Sequence, residues 1–207
     1  MAPNPKSRAR ATQPLILTQW NSRGLKDRKK RAHLHLYLET LELLVAVVAL
    51  QEPCAGVQLT NYNTFQHNPQ TCILVHKQYT AQKVTLPTTP PFSYTMVSVL
   101  PIKRSAPPVH ILNMYCPPKL KSVTFSEIFT QAMQVAGRDP LLIVGDFNAP
   151  SRLWGYPRED TCGGKLAELL STLGLLDFGH GLSTLGHLEY TPCRLAEYRT
   201  LSVVITV

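Results

Sequence analysis

Apolar residues in this chain fall into short β-branched runs that break off at polar residues, and into longer stretches with helical spacing. The runs Leu15–Leu17, Val45–Leu50, Thr71–Val75, Tyr94–Leu100, Val109–Tyr115 and Leu141–Val144 are short and rich in Val and Ile, which suits buried strands. Arg31–Leu44 instead sets Leu34, Tyr37, Leu38, Leu41 and Leu44 on one helical stripe. Thr124–Ala136 does the same through Phe125, Ile128, Phe129 and Met133. Thr124, with Glu127 three residues on, reads as a capping box for that second helix. A third helix, Gly164–Leu173, presents Leu166, Leu169, Leu170 and Leu173, and Gly174 is placed to stop it. Proline-rich joints at 87–91, 101–108 and 117–118 separate the strands, since proline suits edges and turns. Mixed helices and strands with hairpin-length connections predict an α+β fold, not a doubly wound parallel sheet.

What stands at the ends of the strands is more telling than the strands. Leu141–Pro150 delivers Asp146 and Asn148, two residues apart, to one side of an extended segment. Val45–Pro53 stops on Gln51 and Glu52, Leu15–Gly24 on Trp20, Asn21 and Arg23, and Val109–Pro118 on Asn113 and Tyr115. A turn alone accounts for Gly, Asp and Asn at any one of these places. Four apolar runs that each end in a residue suited to a metal, a phosphate or a water point to phosphoryl chemistry.

The ordered set W-N-x-R-G, A-L-Q-E-P, L-N-x-Y-x-P-P and G-D-F-N-A-P with L-W-G behind it resembles the endonuclease/exonuclease/phosphatase superfamily. Within it, the set is most similar to the endonuclease domain of arthropod non-LTR (LINE-type) retrotransposon polyproteins, from about Leu15 to the C-terminus. The resemblance implies a four-layer α/β sandwich over residues 14–207, with strand ends of two packed sheets meeting at one rim. It implies that Glu52 ligates a divalent metal, Mg²⁺ with Mn²⁺ as substitute, and that Asn21 positions metal or phosphate. Hard oxygen donors suit such an ion. Asp146 would activate or orient water, Asn148 would hold the scissile phosphate, and Tyr115 would hydrogen-bond a phosphate oxygen. Arg23, Arg152, Trp154 and Thr191 become candidates for DNA contact, with core packing the competing reading for Trp154.

The chain departs from that pattern near its end. The superfamily completes its site with a late Asp and a terminal Ser-Asp-His. Aligning residues 200–207 with the S-P-D-L-T strand of such proteins puts Val204 where the Asp would stand. On this reading the C-terminal strands are incomplete, an exposed edge is left, and the domain is a fragment or a decayed copy. Loss of a general acid costs roughly 10²–10⁴ in rate.

Composition bounds the partners. Residues 1–31 hold nine of the 21 Lys and Arg but only Asp27 of the 13 acids, so the net charge of +8 lies in a polar tail (residues 1–13, read as disordered) and the first loop. That suits a phosphate backbone; a solvated helix start is the alternative. Five scattered cysteines without a Cys-x-x-Cys pair argue against a disulfide framework and a zinc site. No apolar stretch approaches the roughly 20 residues that cross a bilayer, and no secretory signal is evident, so an intracellular protein, nuclear when it acts on DNA, is expected. The leading expectation is a metal-dependent DNA endonuclease of a longer polyprotein that also carries a reverse transcriptase. Another phosphoesterase of the superfamily, either an abasic-site nuclease or an inositol or lipid phosphatase, and a non-catalytic DNA-binding remnant are the alternatives.

Overall fold

The computed structural model describes residues 15–42, 44–102, 106–120 and 123–175, and the backbone alone of 176–177, 186–190 and 201–206. The N-terminal tail and Thr191 lie outside these residues. Among the described residues, eleven strands and three α-helices follow in the order β1 (Leu15–Asn21), α1 (Arg28–Thr40), β2 (Val45–Gln51), β3 (Tyr62–Asn68), β4 (Thr71–His76), β5 (Thr80–Val84), β6 (Ser93–Leu100), β7 (Val109–Tyr115), α2 (Ser126–Ala136), β8 (Leu141–Asp146), α3 (Thr161–Leu173), β9 (Leu176–Asp177), β10 (Gly186–Tyr190) and β11 (Leu201–Thr206). They form two mixed sheets, one ordered β10-β1-β2-β4-β3 and the other β5-β6-β7-β8-β11-β9.

Two-residue alternation along the strands divides the apolar side chains into the layers of a sandwich. The inward positions Leu15, Leu17, Val47, Ala49, Ile73, Val97, Ile111, Leu142 and Val144 pack the sheets against each other. On the outer face of the first sheet, Val48, Leu50 and Leu74 meet Leu34 and Leu38 of α1. On the outer face of the second, Met96, Leu112 and Ile143 meet Ile128 and Phe129 of α2 and Leu166 and Leu170 of α3. Helix, sheet, sheet, helix is the expected four-layer architecture.

Several local readings shift. Helix α1 starts at Arg28, because the Asp27 side chain accepts from Lys29 N–H at 2.8 Å and caps it. The capping box of Thr124 and Glu127 does not form, and α2 has no side-chain cap. Phe125 takes the capping position instead because its ring is buried, edge-on to Phe147 at 5.3 Å and tilted against Phe92 at 5.2 Å. Asp160 caps α3 through Gly163 N–H at 2.7 Å, which moves its start to Thr161. Strands β3 and β5 carry few apolar residues, being the outermost strands of their sheets, and escape the hydrophobic pattern. Strand β11 is an inner strand of the second sheet. It lies between β8 and β9, parallel to both.

Candidate active site at the sheet rim

Four strands climb the sandwich toward one rim, and on three of them apolar residues give way to a buried carboxamide before a residue at the mouth. On β1 the row is Leu17, Gln19, Asn21; on β7 it is Ile111, Asn113, Tyr115; on β8, Leu142 and Val144 lead directly to Asp146; on β2, Ala49 and Gln51 precede Glu52. The carboxamide layer ties the sheets together. Gln51 Nε2 donates to Asn113 Oδ1 at 2.6 Å, Asn113 Nδ2 donates to Leu50 O and Cys72 O at 2.9 Å each, and Gln19 Nε2 donates to Gly145 O at 3.1 Å. Gln51 and Asn113, read from the sequence as strand-end ligand candidates, are therefore fully buried inter-sheet struts below the site. They fix the height at which the strand ends meet.

Above that layer the two carboxylates share one donor. Asn21 Nδ2 donates to Glu52 Oε1 at 2.9 Å and to Asp146 Oδ2 at 2.6 Å. Residues separated by 125 positions thus close on one cleft, as the strand-end reading requires. Asn148 N–H donates to Asp146 Oδ1 at 3.2 Å, and its Nδ2 donates to Cys116 O at 2.9 Å. Glu52, Asn148 and Arg23 hold positive φ of 50°, 45° and 44°, conformations uncommon for non-glycine residues and costing about 1–3 kcal/mol each. Glycine precedes Asp146 for a packing reason: a Cβ on Gly145 would come within 2.3 Å of Met114 O.

The electrostatics follow from two anions in a half-closed cleft. Burial raises the Asp146 pKa above the usual carboxylate range, and Glu52 adds to this, while hydrogen bonds from Asn21 and Asn148 oppose it. Burial, then the charge of Glu52 and a hydrogen bond to it, then Asp146, push the Tyr115 phenol up to about 12. Burial and then Asp146 also raise Tyr156, so this ring belongs to the neighbourhood although nothing in the sequence singled it out. Two carboxylates, an amide and a phenol make an anion-rich site of hard oxygen donors. Such a set fits a divalent cation of the Mg²⁺ type. Glu52 and Asp146 are the acidic pair of this set, and no group of three or more His, Cys, Asp and Glu placed to hold a metal ion occurs among the described residues.

The flanks are basic. Arg23 is exposed, its N–H donates to Asn21 Oδ1 at 3.1 Å, and its carbonyl accepts from Lys30 Nζ at 3.2 Å. On the other side, a 3₁₀ turn at Arg152–Trp154 follows Asn148 closely and presents exposed Arg152 and Leu153. Trp154 does not face solvent: it is 5% exposed, and its Nε1 donates to Ala149 O at 3.0 Å. Its expected DNA contact is replaced by an anchoring role, because the indole fills the core beneath the loop. Ser151 Oγ bonds to Glu159 Oε2 and also accepts from Leu153 N–H at 3.3 Å, so the loop is braced from both ends. Leu153, 48% exposed on this knuckle, is a further residue that periodicity could not flag.

The histidines whose side chains are described have other partners or positions. His35 pairs with Glu39 at 3.2 Å, His67 stacks on Tyr94, His76 meets Tyr62 edge-on, His110 lies between Ser98 and Asp139, and His33 is exposed on α1. On β11 the backbone of Val204 pairs with Val144, next to the strand that ends in Asp146. Valine brings no carboxylate there.

This architecture is a four-layer α/β sandwich of two packed mixed sheets, with two carboxylates at the shared rim. More particularly, residues 109–186 match the family described as endonuclease-reverse transcriptase, a span that holds Tyr115, Asp146, Asn148 and the Arg152 turn. The fold is similar to the endonuclease domain of TRAS1, a telomere-specific non-LTR retrotransposon, with TM-score 0.66 and 19% identity over 86% of this chain and 83% of that one. It is also similar to the AP endonuclease LMAP from Leishmania major, with TM-score 0.50 and 13% identity over 77% of this chain and 67% of that one. No curated protein sequence matches. No helix among the described residues is long and apolar enough to cross a membrane.

Proposed function

We propose that this nuclease-fold domain is a Mg²⁺-dependent DNA endonuclease of retrotransposon type, which nicks one strand of target DNA to leave a 3′ hydroxyl for priming reverse transcription. The observation that supports this most directly is the Asn21 amide bonded to both the Glu52 and the Asp146 carboxylates. In this reading Glu52, with Asn21 beside it, holds the cation, and Mn²⁺ can replace Mg²⁺. The bound ion would supply charge neutralisation on the phosphate. Asp146, whose proton affinity is already raised, accepts the proton of the attacking water. Asn148 and Tyr115 hold non-bridging oxygens of the phosphodiester. With a pKa of about 12, Tyr115 remains a neutral phenol and donates throughout the neutral range. The water oxygen bonds to phosphorus as the bond to the 3′ oxygen breaks, and the departing oxygen takes up a proton. Arg23 and Arg152 contact flanking phosphates, and the basic N-terminal residues extend that footprint. Thr191 is retained as a contact candidate from the sequence alone.

Protonation of the departing oxygen is expected to be the weak step, since Val204 stands where the alignment puts the orienting Asp. Nicking is accordingly expected to be roughly 10²–10⁴ slower than with a complete acid pair. A nuclear site of action and a parent chain bearing a reverse transcriptase follow from the same proposal. Relaxation of supercoiled plasmid in Mg²⁺ tests it. Slow conversion to the open circle is expected, lost by about 10³-fold in Asp146→Ala and Glu52→Gln with unchanged melting. If both variants nick like the parent, the site assignment fails. Preferential incision of abasic duplex, or release of phosphate from an inositol phosphate, would select another phosphoesterase, and salt-dependent DNA binding without nicking in either ion would select the remnant.

A further inference from the structure

The five residues after β2 take an unusual path. Glu52, Cys54 and Gly56 have φ of 50°, 74° and 74°, so left-handed conformations alternate through the segment, two of them at residues that disfavour it. A backbone like this persists only when its surroundings over-determine it. One neighbour is the β1–α1 loop, where Gly24 N–H donates to Glu52 O at 2.7 Å and Leu25 N–H to Pro53 O at 3.0 Å. The other is the β3–β4 hairpin. Its turn accepts from Glu52 N–H through Gln70 O at 2.8 Å.

Strand β3 completes the hold with side chains on alternate residues. Gln66 spans the bend: its Nε2 donates to Cys54 O at 2.8 Å and its Oε1 accepts from Gly56 N–H at 3.2 Å. Thr64, two residues earlier and on the same face, donates from Oγ1 to Val57 O at 2.9 Å. Tyr62, two residues earlier again, bonds elsewhere, to Val45 O at 2.8 Å. Gln66 thus meets both the donor and the acceptor that the bend leaves unpaired, which no apolar side chain of its size can do.

We infer that Gln66 is a positioning residue for the cation: by bracing Cys54 and Gly56 it holds Glu52 in the left-handed conformation that turns its carboxylate toward Asn21 and Asp146. The inference rests on the reading of Glu52 as a cation ligand. It gives the polar edge strand β3 a part in the site although none of its residues lies within the carboxylate cluster.

Isothermal titration of the 207-residue chain with Mn²⁺, without DNA, tests it beside thermal melts. The parent binds, Glu52→Gln does not, and Gln66→Met weakens binding about threefold to tenfold, the net worth of a hydrogen bond or two. Gln66→Glu, which keeps the acceptor for Gly56 but loses the donor to Cys54, also weakens it and decides the matter if the Met variant does not fold. Tyr62→Phe, which loses a bond from the same strand that does not reach the bend, lowers the melting temperature but binds Mn²⁺ like the parent. Parent-like affinity in the folded Gln66 variants, or equal weakening in Tyr62→Phe, overturns the inference and leaves the functional reading intact. Absence of Mn²⁺ binding in the parent, or unchanged binding in Glu52→Gln, overturns both.

Discussion

At the level of single residues, the loop after Asn148 separates anchoring from contact. Trp154 carries the aromatic surface that made it attractive as a DNA-stacking group, yet its ring is buried and its N–H is bonded to Ala149 O. Arg152, two positions earlier, is exposed. The two substitutions should therefore part company. Trp154→Ala is expected to cost about 3–5 kcal/mol of stability, the usual range for deleting a buried aromatic, read as a fall in the urea midpoint. Arg152→Ala should melt like the parent and flatten the salt dependence of DNA binding, reducing the slope of log K against log salt by about 0.9 for one phosphate contact. A parent-like slope in that variant removes Arg152 from the footprint. The motif around Trp154 was legible in the sequence, but side-chain direction was not, because a short turn has no periodicity to orient it.

At the level of elements, the site is set by rows of alternating side chains rather than by any one strand. Asn113 shows the dependence most clearly. It lies two residues before Tyr115, is fully buried, and bonds across the sheets to Gln51, Leu50 and Cys72. Replacement by Leu keeps the branched shape and raises hydrophobicity, so burial alone predicts tolerance. The polar groups left behind predict otherwise: an unsatisfied buried partner costs about 1–3 kcal/mol, and Asn113→Leu strands more than one. A clear loss of stability is expected in urea melts, and a parent-like midpoint would show that the strut bears no load. The sequence pattern marked Asn113 and Gln51 as polar interruptions of apolar runs. Whether such an interruption faces a ligand or the other sheet depends on how far the partner sheet extends, and no local pattern carries that information.

For the molecule as a whole, the pole opposite the site offers a pH handle on stability. Ser98 Oγ lies 2.8 Å from His110 Nδ1, and His110 Nε2 lies 3.7 Å from Asp139, joining β6, β7 and the segment after α2. Burial lowers the His110 pKa below its ordinary 6.5, outweighing the nearby Asp139 carboxylate, which raises it. The unfolded chain then binds more protons than the folded one as pH falls below 6.5, so this group's contribution is present above that value and is lost on acidification. Urea midpoints at pH 7.5 and 5.5 should differ less in His110→Gln than in the parent; an equal difference would remove His110 as the cause. Asp146, whose folded pKa is raised, acts in the opposite sense at lower pH, which is why the comparison uses a His110 variant and not the parent curve alone. The amino-acid sequence by itself determined the inner strands, the three helices and the identity of the residues at the strand tips, because burial on alternate faces writes a two-residue or 3.6-residue period into the chain. Only the tertiary structure decided that Glu52 and Asp146 share the Asn21 amide, that Gln51 and Asn113 face the facing sheet, and that Trp154 turns inward. It also recruited the polar outer strands β3 and β5. Those outcomes depend on contacts between segments up to 125 residues apart and on strands with little apolar surface to announce them, neither of which leaves a local period to read.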